Sequence, residues 1–95
     1  MQSVQLKSHD TKLVKAMQLL GDETRYKMFK ILLDGQNPCV SDISAMLGVS
    51  VSAVSQHFRM FELSGLVKRN RQGQKICYSV SLSDPLVASF AQLIR

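Results

Sequence analysis

Ser52, Ser55, Gln56 and Arg59 are four hydrogen-bonding side chains on one short stretch, with no acid among them. At about 100° per residue they fall on one side of a helical wheel, and Val54, Phe58 and Phe61 fall on the other. Gln and Arg form paired hydrogen bonds, to adenine and guanine edges respectively. Serine hydroxyls serve base edges or phosphates equally well. An ordinary amphipathic surface helix mixes Glu with Lys on its outer face, which this stretch does not do. The pattern points to a helix that reads the major groove of double-stranded DNA. Ser50 belongs to the same surface and can cap the helix by accepting a free backbone N–H. His57 lies on the flank of the wheel, as a packing or phosphate-contacting residue rather than a metal ligand.

Such a helix must be held at a defined angle, and the residues before it supply the means. Within residues 40–47, Val40, Ile43, Met46 and Leu47 recur at helical spacing, so one side is apolar. Gly48 then allows the positive φ needed to leave a helix sharply. Residues 42–59 therefore read as a helix-turn-helix. After it, residues 66–71 and 75–81 have strand character, with Gln72, Gly73 and Gln74 as the turn. Ile76, Tyr78 and Val80 alternate with polar or small residues, so one face of this hairpin is buried. Lys68, Arg69, Arg71 and Lys75 cluster near its tip. A basic hairpin after a reading helix is a wing, able to reach the backbone or the adjacent minor groove.

Charge is distributed accordingly. The 95-residue chain has 12 Lys+Arg and 7 Asp+Glu, a net charge of +5. Residues 48–80 hold five basic residues and one acid (Glu62), and so carry four of the five net charges. Concentrated positive charge is what phosphate binding requires. A membrane-surface helix would pair a basic face with a bulky apolar one, and here the cations sit mainly on the hairpin. No apolar run approaches membrane-spanning length and no secretory signal pattern opens the sequence, so the expected location is cytoplasmic.

Hydrophobic content of 45% suits one folded domain over residues 11–95, preceded by a loose arm at 1–10. Residues 11–20 place Leu13, Val14, Ala16, Met17, Leu19 and Leu20 around more than half of a helix. Asp22 can cap a second helix running to Leu33, and Gly35 and Pro38 end it. Asp84 followed by Pro85 opens a last helix with Leu86, Val87, Phe90, Ala91, Leu93 and Ile94. The first and last helices carry more apolar surface than one small core can cover. The surplus predicts a two-fold homodimer through Leu13, Met17, Leu86, Phe90 and Ile94. Two reading helices would then meet half-sites of an inverted repeat about one turn of DNA apart. The fold expected is mainly α with a small β-hairpin: a winged helix-turn-helix of about five helices and a two-stranded wing.

Several segments resemble the ArsR/SmtB family of winged-helix repressors. They are Leu20-Gly21-Asp22-Glu23-Thr24-Arg25, Cys39-Val40-Ser41-Asp42-Ile43 and Ser64-Gly65-Leu66-Val67, together with two longer ones. Those are Val49-Ser50-Val51-Ser52-Ala53-Val54-Ser55-Gln56-His57 and Arg71-Gln72-Gly73-Gln74-Lys75-Ile76-Cys77-Tyr78. The resemblance covers residues 11–94. It implies a five-helix dimer joined through its first and last helices, which represses an operon and leaves DNA when an inducer binds or a thiol is modified. Many members hold thiophilic metals through Cys-X-Cys, whereas here Cys39 is followed by Val40 and Ser41. Others bind zinc on the last helix, where Asp84 stands alone and Leu86 occupies the place of a histidine. Zinc needs three or four ligands, and His9, Cys39 and Asp84 are not a recognisable set. No metal and no cofactor are expected, and the inducer is unidentified.

The two cysteines allow a different signal. Cys39 stands where a helix cap belongs, and the free N–H groups there favour a thiolate. Cys77 lies on the second wing strand, facing opposite to Ile76 and Tyr78. A bond or persulfide bridge between Cys39 and Cys77 could move the wing relative to the reading helix, making the chain a redox or sulfur sensor. The alternative is two small structural thiols in reduced cytosol. A winged helix can also serve as a protein-interaction module without DNA. Enzymatic activity is not expected, because no Cys–His–acid set or phosphate-binding glycine loop is present.

Overall fold

A computed structural model describes residues 3–95. The chain runs α1 (Ser8–Leu20), α2 (Glu23–Leu33), α3 (Val40–Leu47), α4 (Val51–Ser64), β1 (Val67–Gln72), β2 (Lys75–Val80) and α5 (Pro85–Ile94). Five helices and a two-stranded antiparallel wing match the expected architecture. No helix among the described residues is long and apolar enough to cross a membrane.

Local chemistry sets most of the boundaries. The Asp22 carboxylate accepts the Arg25 N–H at 3.0 Å and starts α2, while the Arg25 Nε donates to the Leu19 carbonyl at 2.8 Å. That side chain pins the end of one helix to the beginning of the next. Asp84 accepts the Leu86 N–H at 2.9 Å and, with Pro85 behind it, opens α5. Its other oxygen takes the Lys12 ammonium at 2.7 Å, tying α5 to α1. The first helix begins three residues earlier than residue 11, because the Asp10 carboxylate accepts the Lys7 N–H at 3.0 Å. The arm is therefore shorter than expected: residues 3–7 lack regular structure, Ser8–Asp10 are helical, and residues 1–2 lie outside the described residues.

The core gathers Met28, Phe29, Leu32 and Leu33 from α2, Ile43 from α3, and Val54, Phe58 and Phe61 from α4. Val67 and Tyr78 of the wing and Val87, Phe90 and Ala91 of α5 close it. Phe29 packs on Phe61 with ring centroids 5.8 Å apart, and Phe58 lies flat on Tyr78 at 4.0 Å. The second contact roots the wing in the reading helix. Met46 departs from expectation: it is 60% exposed, because an eight-residue helix presses only Ile43 fully into the core.

The wing hairpin pairs Val67 with Val80 through to Gln72 with Lys75, leaving only Gly73 and Gln74 in the turn. Gln72 therefore belongs to β1 rather than to the turn, and Leu66 precedes β1 as a fully buried core residue.

Candidate nucleic-acid interface

Gly48, at φ 67°, ends α3 in the left-handed region, and its N–H bonds the Ser44 carbonyl at 3.0 Å. Ser50 Oγ accepts the Ala53 N–H at 3.1 Å and begins α4. With Val54, Phe58 and Phe61 fully buried, the opposite face of α4 must point outward. Ser52, Ser55, Gln56 and Arg59 are all exposed on it, as the wheel requires. Ser50 is exposed as well, with one lone pair used by the cap. His57 does not share that face. It is half-buried, and its Nδ1 is enclosed without a hydrogen-bond partner. The Asp22 carboxyl at the start of α2 is held below its ordinary value, chiefly by the Arg25 N–H bond.

Lys68, Arg69, Arg71 and Lys75 are exposed on the wing but do not form one cluster. Cross-strand partners share a face of a hairpin. Arg69 lies opposite Tyr78 and Arg71 opposite Ile76, on the side that meets α4, whereas Lys68, opposite Ser79, and Lys75, opposite Gln72 at the tip, start from the other side, with Lys75 still reaching the cleft beside α4. Arg69 Nε comes within 3.6 Å of Glu62 Oε2 on α4, so one of the expected free cations has an internal partner.

Between the wing, α4 and the start of α3 lies a cleft of about 450 Å³. Arg59, Arg69 and Lys75 line it together with Ser55 and Tyr78. Burial, chiefly, pushes the Tyr78 phenol above its ordinary value. The cleft thus joins cations from the reading helix and from the wing.

Cys39 and Cys77 meet at the back of this region. They are joined by a disulfide, with Cα atoms 3.7 Å apart, inside the roughly 7 Å limit for such a bond. The sequence left open whether the two thiols bond; they do, and Cys77, on the strand face opposite Ile76 and Tyr78, is fully buried. The reason is that β2 has both edges covered. Its outer edge pairs with β1, and its inner edge takes the Pro38–Cys39 segment, with Cys39 bridged to Cys77 and the Tyr78 N–H bonded to the Pro38 carbonyl at 3.1 Å. The Cys39 N–H is in turn accepted by Asp42 at 3.0 Å. Among the described residues no three His, Cys, Asp or Glu side chains gather into a metal site.

The residues nominated for dimer contact divide. Met17 is 55% exposed, but Phe90 is only 8% exposed, and Leu13, Leu86 and Ile94 are half-buried against the protomer's own core. Leu93, 81% exposed, was not nominated, nor was Tyr26. With Met17, Leu20 and Ile94 they border a shallow apolar hollow of about 290 Å³ between α1, α2 and α5. Leu93 could have been found from the last-helix pattern, since it falls beside Ile94 on a helix with few polar residues. Tyr26 gave no signal, because its neighbours in α2 are charged.

The comparisons agree with this geometry. HlyU of Vibrio cholerae, described as a transcriptional activator, is 28% identical over 80 residues, covering 84% of this chain and 73% of its own. Its solved structure superimposes with a TM-score of 0.82 at 27% identity, covering 94% of each chain. ArsR of Halobacterium salinarum is 36% identical over 70 residues, covering 73% of this chain and 54% of its own, so the present chain spans about half that relative's length. The arsenical resistance operon repressor of Escherichia coli is 29% identical over 76 residues, covering 80% of this chain and 65% of its own. The family model for bacterial regulatory proteins of the arsR family matches residues 22–69, from the cap of α2 through the helix-turn-helix into the wing. The chain belongs to the arsR family of bacterial regulatory proteins.

Proposed function

We propose that residues 11–95 act as one DNA-binding and dimerisation unit, a cytoplasmic transcriptional regulator that represses by occupying an inverted-repeat operator. The carrying observation is the division of α4, with Val54, Phe58 and Phe61 fully buried and Ser52, Ser55, Gln56 and Arg59 exposed beside a basic wing. Gln56 and Arg59 read base edges, while Ser50, Ser52, Ser55, Arg71 and Lys75 hold phosphates. Lys68 meets the backbone from the other wing face, and Arg69 does so only by leaving Glu62. His57 positions α4 against α2. A second copy covers Met17, Tyr26 and Leu93, and so sets two reading helices about 34–36 Å apart. The chain's work on this reading is binding, and no catalytic step is assigned.

The test is a binding series at several salt concentrations. Gln56→Ala and Arg59→Ala should each weaken operator binding by about 1–3 kcal/mol and flatten discrimination at one or two base pairs. Arg71→Ala and Lys75→Ala should weaken all sequences alike and lower the salt slope. Wild-type affinity in the Gln56 and Arg59 variants, or binding that hardly responds to salt, would favour a protein-interaction module instead.

A second reading concerns the signal. The Cys39–Cys77 bond couples the start of α3 to β2, and so favours thiol chemistry as the releasing event. Oxidised and reduced protein should then differ in operator affinity. Cys39→Ser, which cannot form the bond, should abolish that difference while leaving the binding of the reduced form intact, and because the serine oxygen can still cap α3 the chain should fold.

A further inference from the structure

The disulfide offers its two sulfurs unequally. Cys39 is 6% exposed and lines the cleft between α4 and the wing, whereas Cys77 has no exposed surface and does not line it. Of the two bonded cysteines only Cys39 borders the cleft, so a nucleophile entering it meets Cys39 first, and which sulfur is attacked governs thiol–disulfide exchange. The rest of the cleft is selective in charge. Arg59, Arg69 and Lys75 supply three cations against one acid, Glu62, which already faces Arg69. Ser41, Ser55 and Tyr78 add hydrogen-bonding groups, and Val51 and Ile76 supply apolar wall. About 450 Å³ lies within the range of small-molecule sites, roughly 300–1,000 Å³.

We infer that this cleft docks an anionic low-molecular-weight thiol, which attacks Cys39 and converts the Cys39–Cys77 bond into a mixed disulfide on Cys39. This deepens the thiol-signal reading and rests on it. The incoming thiolate forms a bond to Cys39 Sγ while the Cys39–Cys77 bond breaks, its electron pair leaving on Cys77 Sγ. The Cys77 sulfur takes up the proton that the small thiol gave up on ionising. One thiol and one disulfide become one mixed disulfide and one thiol, with no further oxidant or reductant. The reverse attack by Cys77 on Cys39 expels the small thiol and restores the bond. The adduct's anionic groups lie among Arg59, Arg69 and Lys75, so it occupies cations that the DNA backbone would otherwise use.

The oxidised full-length protein is treated with glutathione (anionic), 2-mercaptoethanol (neutral) or cysteamine (cationic). Rates of disulfide opening are followed by acid quench, alkylation and peptide mass spectrometry. Each rate is divided by that of the same thiolate with bis(2-hydroxyethyl) disulfide, which removes intrinsic differences in nucleophilicity. Normalised rates should favour glutathione over cysteamine by roughly fivefold or more at low salt. The preference should fade at high salt and in the Arg59→Gln/Lys75→Gln variant, and the first adduct should be on Cys39. An adduct on Cys77, equal normalised rates, or a preference that survives in that variant would overturn the inference. Operator affinity of the oxidised, reduced and adduct forms is measured alongside. If all three bind alike while the charge preference and the Cys39 adduct are found, the thiol-signal reading fails and the docking site stands. If affinity responds to reduction but charge preference is absent, the docking site fails alone.

Discussion

Reducing the Cys39–Cys77 bond should destabilise the chain strongly, by an amount the loop length sets. The two cysteines are 38 residues apart. Releasing a loop of that size returns about 13 cal/mol/K of conformational entropy to the unfolded chain, equivalent to about 4 kcal/mol at 25 °C. The folded state loses little in exchange, because the Tyr78 N–H to Pro38 carbonyl bond and the burial of both residues do not require the covalent link. At about 2.1 cal/mol/K of unfolding entropy per residue, the loss corresponds to a fall in Tm of roughly 20 °C. Urea unfolding of oxidised and phosphine-reduced protein, followed by circular dichroism, measures the difference directly. Both samples need the same protein concentration, because dimerisation shifts apparent stability by mass action. The reduced form should also show a slightly larger m-value, since its unfolded chain exposes more surface. The Cys39→Ala/Cys77→Ala variant should be indifferent to the reductant. A difference below about 1 kcal/mol between the two forms would show that the bond does not restrain the unfolded chain as loop-closure entropy requires.

Leu93→Glu should leave the protomer folded, because Leu93 is 81% exposed, yet weaken self-association at least about tenfold by losing apolar burial. Sedimentation equilibrium would show this, and an unchanged dimer constant would move the interface elsewhere. Phe90→Glu should instead unfold the chain, since it would place a charge in the protomer core. Ser50→Ala removes the cap of α4 and should cost about 1 kcal/mol of stability in chemical unfolding, with no cost if the Ala53 N–H is satisfied equally well by water. The Lys12 hydrogen bond, chiefly, holds the Asp84 carboxyl below its ordinary value. Its depressed value favours the ionised form in the folded state, so the stability it adds is full above the ordinary carboxylate value of about 3.9 and is lost as pH falls through the lower folded value. Asp84→Asn should therefore be less stable than wild type by up to about 1 kcal/mol at neutral pH, with the gap closing in acid. Urea titrations from acid to neutral would reveal a pH-independent gap if the ion pair contributes nothing.

Interactions that close within a few residues were legible in the chain alone. Asp22, Ser50 and Asp84 each cap a helix through an N–H two or three residues away, and Gly48 makes its turn by its own backbone freedom. The wheel of α4 is equally local, which is why the outward set of Ser52, Ser55, Gln56 and Arg59 needed no tertiary information. Periodicity can say that a side is apolar, but not how deeply a short helix is pressed into its neighbours, and so Met46 lies outside. It also cannot say that the His57 Nδ1 is buried without a partner, or that the core of one protomer absorbs Phe90 and leaves Leu93 bare. The fate of the cysteines was decided furthest from the sequence. Alternation along β2 assigned Cys77 a side, whereas its burial depends on the segment 38 residues earlier that covers the strand's inner edge. Capping and facing are properties of one element, but covering a free edge depends on how distant elements pack, and only the folded chain brings Pro38 and Cys39 there.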